Sequence, residues 1–533
     1  MTFRRQPLSV FTIALVIFLV ASVAPVLYML TAFLAGSFRN PSTVSSILID
    51  FRQLVLLKRS ISIGFYATLV ALGFGLPAGI ALAAKDLPFR KLLQLLVLMP
   101  LLIPPYVMAG AWIHLLNPTG AFNQLLQYFF GPSVKLSAFS QAGCVWSLGI
   151  SYFPVIAIML AAGLSKVDRS LQDVALLSTG RWGTFRHSTC VQVLPHLVAS
   201  ICLVMIFVLG RYGVPSLLGV NTYPVEIFAQ FSAFYNEDAA VATALPLIIL
   251  VVILILLQRR LMANRTYTSI AASSDAQSPM GLGNLKYYAA VLLLILFLVT
   301  TGLPFVSVLR YTRDLTNIWS SLTRFSDSIV TTSVLALMTA VVSTFIALPI
   351  GYFLAYSKGR FSRLLDVICW LPIAVPGTIV GLGLIKLTNL MPAFRSIDSF
   401  GLLLLLAYVG MFSAFSIRIF QVAYKQMDPN ISEIAILDCS RWHQRIVRID
   451  LPIHAGPILA SIIIVFVLVL GELSATVLLV PPGKSTLSVT IDNLLHYGAN
   501  VQASVLCLTE AVLVLILAWM GLLLWWSISG KEL

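Results

Sequence analysis

The sequence predicts an all-α membrane protein of about twelve transmembrane helices, arranged as two parallel six-helix repeats. Three observations predict it: 59% of the 533 residues are hydrophobic, the apolar runs are long enough to cross a bilayer, and motifs of the first half recur in the second. Because only 10% of the residues are charged, no single soluble core can bury so much apolar surface. The chain must therefore use lipid as part of its solvent.

Twelve apolar runs account for most of the chain. Each has roughly the 20 residues that an α-helix needs to cross about 30 Å of hydrocarbon. The predicted spans, numbered one to twelve along the chain, lie near residues 9–35, 60–84, 92–116, 143–165, 197–219, 240–258, 287–311, 328–356, 364–389, 400–423, 455–480 and 501–528. Lys and Arg are more frequent in the segments that an internal N-terminus puts inside, which predicts both termini in the cytoplasm.

The charge and the cysteines exclude several other classes of protein. A net charge of +14 would suit nucleic-acid binding, but surplus Lys and Arg in a membrane protein record topology, so no nucleic-acid partner is expected. None of the six cysteines falls in a predicted outside loop, and no Cys/His spacing suits zinc. The spans contain no HExxH motif or paired acids. We therefore expect no catalytic residue and no metal site.

Short motifs of the first half return in the second. Residues 76–79, Leu-Pro-Ala-Gly, match residues 348–351, Leu-Pro-Ile-Gly. The same interval relates two pairs of prolines in spans three and nine, Pro100 with Pro104 and Pro372 with Pro376. Proline removes a backbone donor, so we expect these residues to kink or break both spans. Each half has six spans and enters the membrane from the same side, which predicts parallel repeats.

The repeats divide the chain into a first half, 1–258, and a second half, 287–533. The segment between them, 259–286, begins with Arg259 and Arg260 and continues with many Ser, Ala and Gly residues. This composition is typical of a flexible tether rather than a domain. We predict that it is a cytoplasmic linker.

A polar segment also occurs twice between apolar runs. Its residues are Asp173, Ala175, Arg181 and Trp182 in the first copy and Glu433, Ala435, Arg441 and Trp442 in the second. Each copy is followed by a Leu-Pro pair that opens the next span, with Leu451 and Pro452 in the second copy. One basic loop of this kind is typical of contact with anionic lipid. Two copies at matched positions instead favour two equivalent contacts with a soluble protein.

The second copy resembles a known motif. Glu433-x-Ala435-x3-Cys439-x9-Ile449-x-Leu451-Pro452 is similar to the EAA-x3-G-x9-I-x-L-P loop of bacterial ABC importer permeases. In that family the loop forms a helix that docks in a cleft of the ATP-binding subunit. Cys439 replaces the usual Gly. The first copy departs further, because Asp173 replaces Glu and Thr179 occupies the Gly position, with Gly180 beside it.

The resemblance covers essentially the whole chain, as two fused permease halves of the ferric-iron and thiamine type. Residues 210–215 and 471–476 look most similar to the ferric-iron group. The resemblance implies a permease of the bacterial inner membrane, with a periplasmic binding protein and two copies of an ATP-binding subunit as partners. ATP is then used by those subunits, and this chain binds no cofactor and is not an enzyme. Thiamine and phosphonate remain alternative substrates, and a secondary transporter with parallel repeats remains an alternative class.

Two charges occupy matched positions near the ends of spans five and eleven, Arg211 and Glu472. Charged groups in a membrane are costly and usually functional. We predict that the two pair across the repeat axis and shape an outer gate. The alternative is that each side chain reaches separately to the outer interface.

Overall fold

The computed structural model describes residues 8–39, 51–117, 120–133, 135–165, 167, 169–263, 281–312, 314–357, 359–390, 401–427, 451–481 and 483–528. All regular elements in these ranges are helices. Up to residue 263 they are Leu8–Phe18, Ala24–Arg39, Phe51–Ala83, Arg90–Leu102, Pro105–Leu116, Ala121–Phe130, Gln141–Ser165, Arg169–Thr184, Cys190–Leu209, Gly213–Leu217, Tyr223–Ser232 and Glu237–Ala263. From residue 281 they are Leu285–Phe297, Leu303–Tyr311, Leu315–Arg324, Ser326–Tyr356, Arg360–Ile368, Leu371–Ala374, Gly377–Leu390, Leu402–Gln426, Leu451–Ile453, Ala455–Leu470, Thr476–Leu479, Leu487–His496 and Asn500–Ile528. Three π-helical segments join neighbouring helices, Leu19–Val23, Phe185–Thr189 and Leu298–Gly302.

Nine helices in the described ranges are long and apolar enough to cross a membrane. They are Val10–Thr31, Phe51–Ala83, Gln141–Ser165, Trp182–Leu209, Glu237–Leu261, Leu285–Arg310, Ser326–Tyr356, Leu402–Gln426 and Asn500–Gly521. Spans three and nine are bent pairs of helices, and span eleven is the shorter apolar helix Ala455–Leu470. Every predicted span thus coincides with a helix or a bent pair, and the all-α membrane architecture is confirmed.

Prolines break spans three and nine where the sequence predicts. The two helices of span three meet at 92°, and those of span nine meet at 102°. The residues at the breaks, Ile103 and Val375, are extended and precede Pro104 and Pro376. Proline disfavours helical backbone in the residue before it and cannot donate the next helical hydrogen bond. Both spans therefore turn sharply at equivalent positions of the two repeats.

The chain forms two compact units, and neither is a contiguous half of the sequence. One unit consists of the described residues within 49–226 and 245–313, and the other of those within 1–48, 227–244 and 314–533. Span one consequently packs with spans of the second half: the rings of Phe11 and Phe353 lie 4.8 Å apart, and Ser22 Oγ donates to the carbonyl oxygen of Gly410 at 2.9 Å. The division of the sequence at 259–286 stays a prediction.

Span seven, from the second half of the sequence, packs with spans of the first half in the other unit. Ser307 Oγ donates to the carbonyl oxygen of Ala111 in span three at 3.2 Å. Just before span seven, the backbone amides of Leu282 and Gly283 donate to the Asp86 carboxylate at 3.0 and 2.8 Å. The hydrogen bond from Leu282 is the main reason that the pKa of Asp86 is lowered. The described end of the predicted linker is therefore tied to the loop after span two.

The repeated Leu-Pro-x-Gly motif explains how each unit packs. A Cβ atom on Gly79 would lie 2.8 Å from the carbonyl oxygen of Ala157 in span four. A Cβ atom on Gly351, the matching residue, would lie 2.7 Å from Phe420 Cβ in span ten. Small residues let transmembrane helices approach closely where lipid supplies no hydrophobic drive for association. The glycine of each motif therefore permits the same helix crossing in both repeats.

Candidate functional site

The first polar segment forms a bent helix between spans four and five. Helix Arg169–Thr184 is interrupted at Gly180, whose φ and ψ are 69° and −177°. This region of backbone space is essentially restricted to glycine. Thr179 aligns with the glycine of the family motif, yet the turn falls one residue later. Gly180 therefore supplies the glycine at this turn, although Thr179 occupies the glycine position of the family motif.

Large apolar side chains on this bent helix are exposed. Leu177 is 90% exposed and Trp182 is 74% exposed, while Ala175 is half-buried. Trp182 stacks on Phe185, with ring centroids 5.7 Å apart. Exposed apolar surface in a polar loop marks an interaction site. Docking is the predicted role of this segment, so we name its exposed apolar residues, Val174, Leu177, Trp182 and Phe185, the first docking surface. The side chains of Asp173 and Arg181 lie outside what the structure describes.

The first docking surface is joined directly to the membrane. Trp182–Leu209 is one helical span of 28 residues, about 42 Å at 1.5 Å per residue. Leu194 is exposed and Pro195 is buried within it. No loop separates Trp182 from the far end of the span at Leu209, although the π-helical segment Phe185–Thr189 and Pro195 lie between them.

Most of the second polar segment lies outside the described residues, which resume at Leu451. The predicted docking residues Glu433, Ala435, Cys439, Arg441 and Trp442 all fall in this undescribed part. Leu451 and Pro452 begin the short helix Leu451–Ile453. The next residue, His454, is buried and packs on Tyr424, with ring centroids 4.3 Å apart. The residues that follow the second polar segment therefore pack against span ten.

Sequence reasoning missed two clusters at one end of spans eight to eleven. The first is aromatic: the Tyr356 hydroxyl donates to the carbonyl oxygen of Tyr424 at 3.0 Å, beside His454. In the second, the Arg418 guanidinium pairs with Asp366 and lies 4.5 Å from the centroid of the Trp370 ring. When the two halves are aligned by the interval between the repeats, the residues of these clusters have no similar counterparts in the first half. The duplication therefore gave no signal for them.

The far ends of spans five and eleven have matching turns. Both helices end earlier than predicted, at Gly210 and Gly471 rather than near residues 219 and 480. The amides of Gly210 and Gly471 each donate to the carbonyl oxygen four residues back at 3.2 Å. Glycine is a poor helix former and favours helix ends. Arg211 and Glu472 consequently lie in turns just beyond the spans.

The short helices beyond these turns are also anchored alike. The amide of Tyr223, which begins helix Tyr223–Ser232, donates to Ser60 Oγ at 2.9 Å. The amide of Leu487, which begins helix Leu487–His496, donates to Thr332 Oγ1 at 2.7 Å. Ser60 and Thr332 are matched residues of the two repeats. The repeat therefore extends from the helices to individual hydrogen bonds.

Each of the two charges has contacts within its own unit. Arg211 Nε donates to the Tyr152 hydroxyl, and the guanidinium carbon lies 5.8 Å from the centroid of the Tyr152 ring. Glu472 is buried, and its Oε1 accepts a hydrogen bond from the amide of Ala475 at 2.9 Å. Both side chains are thus held at the ends of their spans, and their pairing stays a prediction. Within the described ranges, no group of three or more His, Cys, Asp and Glu side chains is placed to hold a metal ion.

These features define a class of protein: a multi-pass membrane permease built from two repeats, each with a polar segment between two of its spans. The chain belongs to the family of binding-protein-dependent transport system inner membrane components, whose model matches it twice, at residues 75–267 and 347–526. The two matched regions begin beside the two Leu-Pro-x-Gly motifs. The chain is accordingly a transport permease of the inner membrane rather than an enzyme, and its family works with a binding protein and with ATPase subunits that are separate chains.

Curated relatives agree with this family. The Fe(3+)-transport system permease protein FbpB 2 of Haemophilus influenzae is 22% identical over 75% of this chain and 76% of its own length. The ferric transport system permease protein FbpB of Actinobacillus pleuropneumoniae is 21% identical over 96% of this chain and 77% of its own. The molybdenum transport system permease protein ModB of Escherichia coli is 29% identical but matches only 34% of this chain.

Proposed function

We propose that this chain forms the translocation path of an ATP-driven importer for ferric iron. The single observation that supports the ATP-driven part is the first docking surface, whose exposed Leu177 and Trp182 lie just before and at the beginning of span five. The substrate is inferred from the relatives, because those that cover most of the chain are named for ferric iron. Permeases named for molybdenum and 2-aminoethylphosphonate match 34% and 38% of it. Thiamine and phosphonate are the alternative substrates.

In this proposal two copies of an ATP-binding subunit dock on the two polar segments from the cytoplasm, where both termini also lie. The first contact uses Asp173, Ala175, Gly180, Arg181 and Trp182, and the second uses Glu433, Ala435, Cys439, Arg441, Trp442, Leu451 and Pro452. A periplasmic binding protein delivers the substrate to the opposite face. Closure of the ATP-binding subunits moves both segments together, and spans five and eleven carry that movement toward the outer turns. This chain binds no cofactor.

The substrate is tested by uptake into proteoliposomes that contain the permease, its ATP-binding subunit and its binding protein. We expect ATP-dependent uptake of radiolabelled ferric iron that excess thiamine, phosphonate or molybdate does not reduce. Uptake that one of these competitors abolishes would assign the importer to that substrate instead.

We further propose that Arg211 and Glu472 act as a pair at the outer gate. Arg211→Glu and Glu472→Arg are each expected to lower ATP-dependent uptake by on the order of tenfold, which corresponds to about 1.4 kcal/mol. The double variant is expected to restore most of that loss, because the opposite charges are exchanged rather than removed.

Two conservative variants separate pairing from the contacts that each residue makes in its own unit. Tyr152→Phe removes only the hydroxyl that accepts from Arg211, and Glu472→Gln keeps an acceptor for the Ala475 amide. If Tyr152→Phe alone reproduces the Arg211→Glu defect, or the double variant is as inactive as the single ones, the two charges act separately.

A further inference from the structure

A short helix between spans three and four, Ala121–Phe130, is amphipathic and carries no charge. Its sequence is AFNQLLQYFF. Phe122, Leu125 and Phe129 follow at intervals of three and four residues and so share one face. Gln124 and Gln127 occupy another face. Aromatic and aliphatic side chains on one face, with amide side chains elsewhere, suit a helix to the boundary between water and an apolar phase.

One buried side chain fixes this helix to the end of span three. The Asn123 amide nitrogen donates to the carbonyl oxygens of Leu116 at 2.9 Å and of Asn117 at 3.1 Å. Asn123 also exchanges two hydrogen bonds with the backbone of Leu136, both 2.9 Å long. Asn123 is fully buried, so these bonds replace its contacts with water. The helix is therefore held at a defined height beside the last turn of span three.

The helix presents aromatic side chains outward. Tyr128 is 83% exposed and Phe129 is 72% exposed, and Phe130 is similarly open. Leu125 is exposed on the same side. Three consecutive aromatic side chains in water would carry a large unfavourable hydration cost. Aromatic residues are enriched at the level of the lipid headgroups, where a ring meets both phases.

Neighbouring spans carry exposed aromatic rings near the same level. Gln141, the first residue of span four, donates from Nε2 to Ser62 Oγ in span two at 2.8 Å, which sets the two helices in register. About one turn further along span two, Phe65 and Tyr66 are exposed, and Phe139 is exposed just before span four. Exposed aromatic side chains therefore occur at this end of spans two and four as well as on the helix Ala121–Phe130.

We infer that the helix Ala121–Phe130 is an interfacial anchor that lies in the lipid headgroup region, on the membrane face opposite the first docking surface. Span four separates the two segments, so they emerge on opposite faces; naming this face the outer one rests on the proposed function. The occupant is phospholipid rather than the binding protein. A soluble partner that must bind and leave is usually guided by complementary charge, and residues 121–130 offer none.

Photocrosslinking from p-benzoylphenylalanine at position 129 tests this inference. The sample is the complete transport complex in phospholipid vesicles, with binding protein added. We expect peptides that carry a phospholipid adduct, identified by mass spectrometry. Gln127 is the matched control, because it is half-buried on the same helix and about 160° away from Phe129 around the axis. We expect several-fold less lipid adduct there. An adduct to the binding protein or another polypeptide, or equal lipid adduct at both positions, would overturn the anchor.

A second position keeps this test apart from the proposed function. With p-benzoylphenylalanine at Leu177, the proposed function predicts an adduct to the ATP-binding subunit. A lipid adduct at position 129 without a subunit adduct at position 177 would retain the anchor and refute the docking. A subunit adduct at position 177 together with a protein adduct at position 129 would support the docking and refute the anchor.

Discussion

Leu177→Asp is expected to weaken binding of the ATP-binding subunit by about 30-fold or more, the change that a loss of about 2 kcal/mol at an interface hot spot produces. Leu177 is 90% exposed, so the substitution removes almost no packing within the chain. In the docked complex, however, it places a carboxylate in a desolvated apolar contact, which is costly unless the charge is paired. The affinity of the purified subunit for the permease in nanodiscs measures the effect directly.

Two comparisons sharpen this prediction. Phe234→Asp is the matched control, because Phe234 is also exposed but follows, in the chain, the end of span five that is remote from Trp182. Its change should leave subunit affinity within about twofold. Leu437 occupies the position of Leu177 in the second polar segment. That segment keeps the family spacing, so Leu437→Asp is expected to cost at least as much. Unchanged affinity of the ATP-binding subunit for the Leu177→Asp variant would show that the subunit does not bind at the first docking surface.

Gly79→Leu is expected to destabilise the permease by about 1–3 kcal/mol, the usual cost of overpacking a close contact. Its new Cβ atom would lie 2.8 Å from a backbone oxygen of span four, which cannot move aside as a flexible side chain can. Gly73→Leu is the control on the same helix, because a Cβ atom there has no neighbour within 4 Å. Thermal unfolding of the detergent-solubilised protein distinguishes them.

We expect a lower midpoint for Gly79→Leu, and also for Gly351→Leu at the matched crossing, but not for Gly73→Leu. Equal midpoints for Gly73→Leu and Gly79→Leu would show that the close crossing of spans two and four contributes little to stability.

Helix positions and breaks were predictable from sequence because they depend on local chemistry. Apolar length sets the spans. Pro104 and Pro376 break spans three and nine, whereas Pro77 and Pro349 lie inside continuous helices. Helix ends were less predictable, because apolar residues continue beyond Gly210 and Gly471 although the helices do not. Thr179 at the glycine position of the first polar segment was a misleading signal, since Gly180 supplies the turn one residue later.

The assembly of helices was not predictable from sequence. Span one joins the unit of the second half through contacts such as Phe11 with Phe353, and span seven joins the other unit through Ser307. Hydropathy is the same for a helix whichever neighbour it packs on, because lipid and helix surfaces are about equally apolar. The partners of Arg418 escaped prediction for a related reason, since Asp366 and Trp370 are far from it in sequence and have no counterparts in the first half.

The mass of the complex purified through a tag on this chain shows whether ATP-binding subunits dock on it. We expect native mass spectrometry to find one copy of this chain with two copies of an ATP-binding subunit, and loss of subunits when Leu177 and Leu437 are both changed to Asp. A chain that takes up substrate into proteoliposomes while its mass shows no bound ATP-binding subunit would contradict the account and favour a secondary transporter.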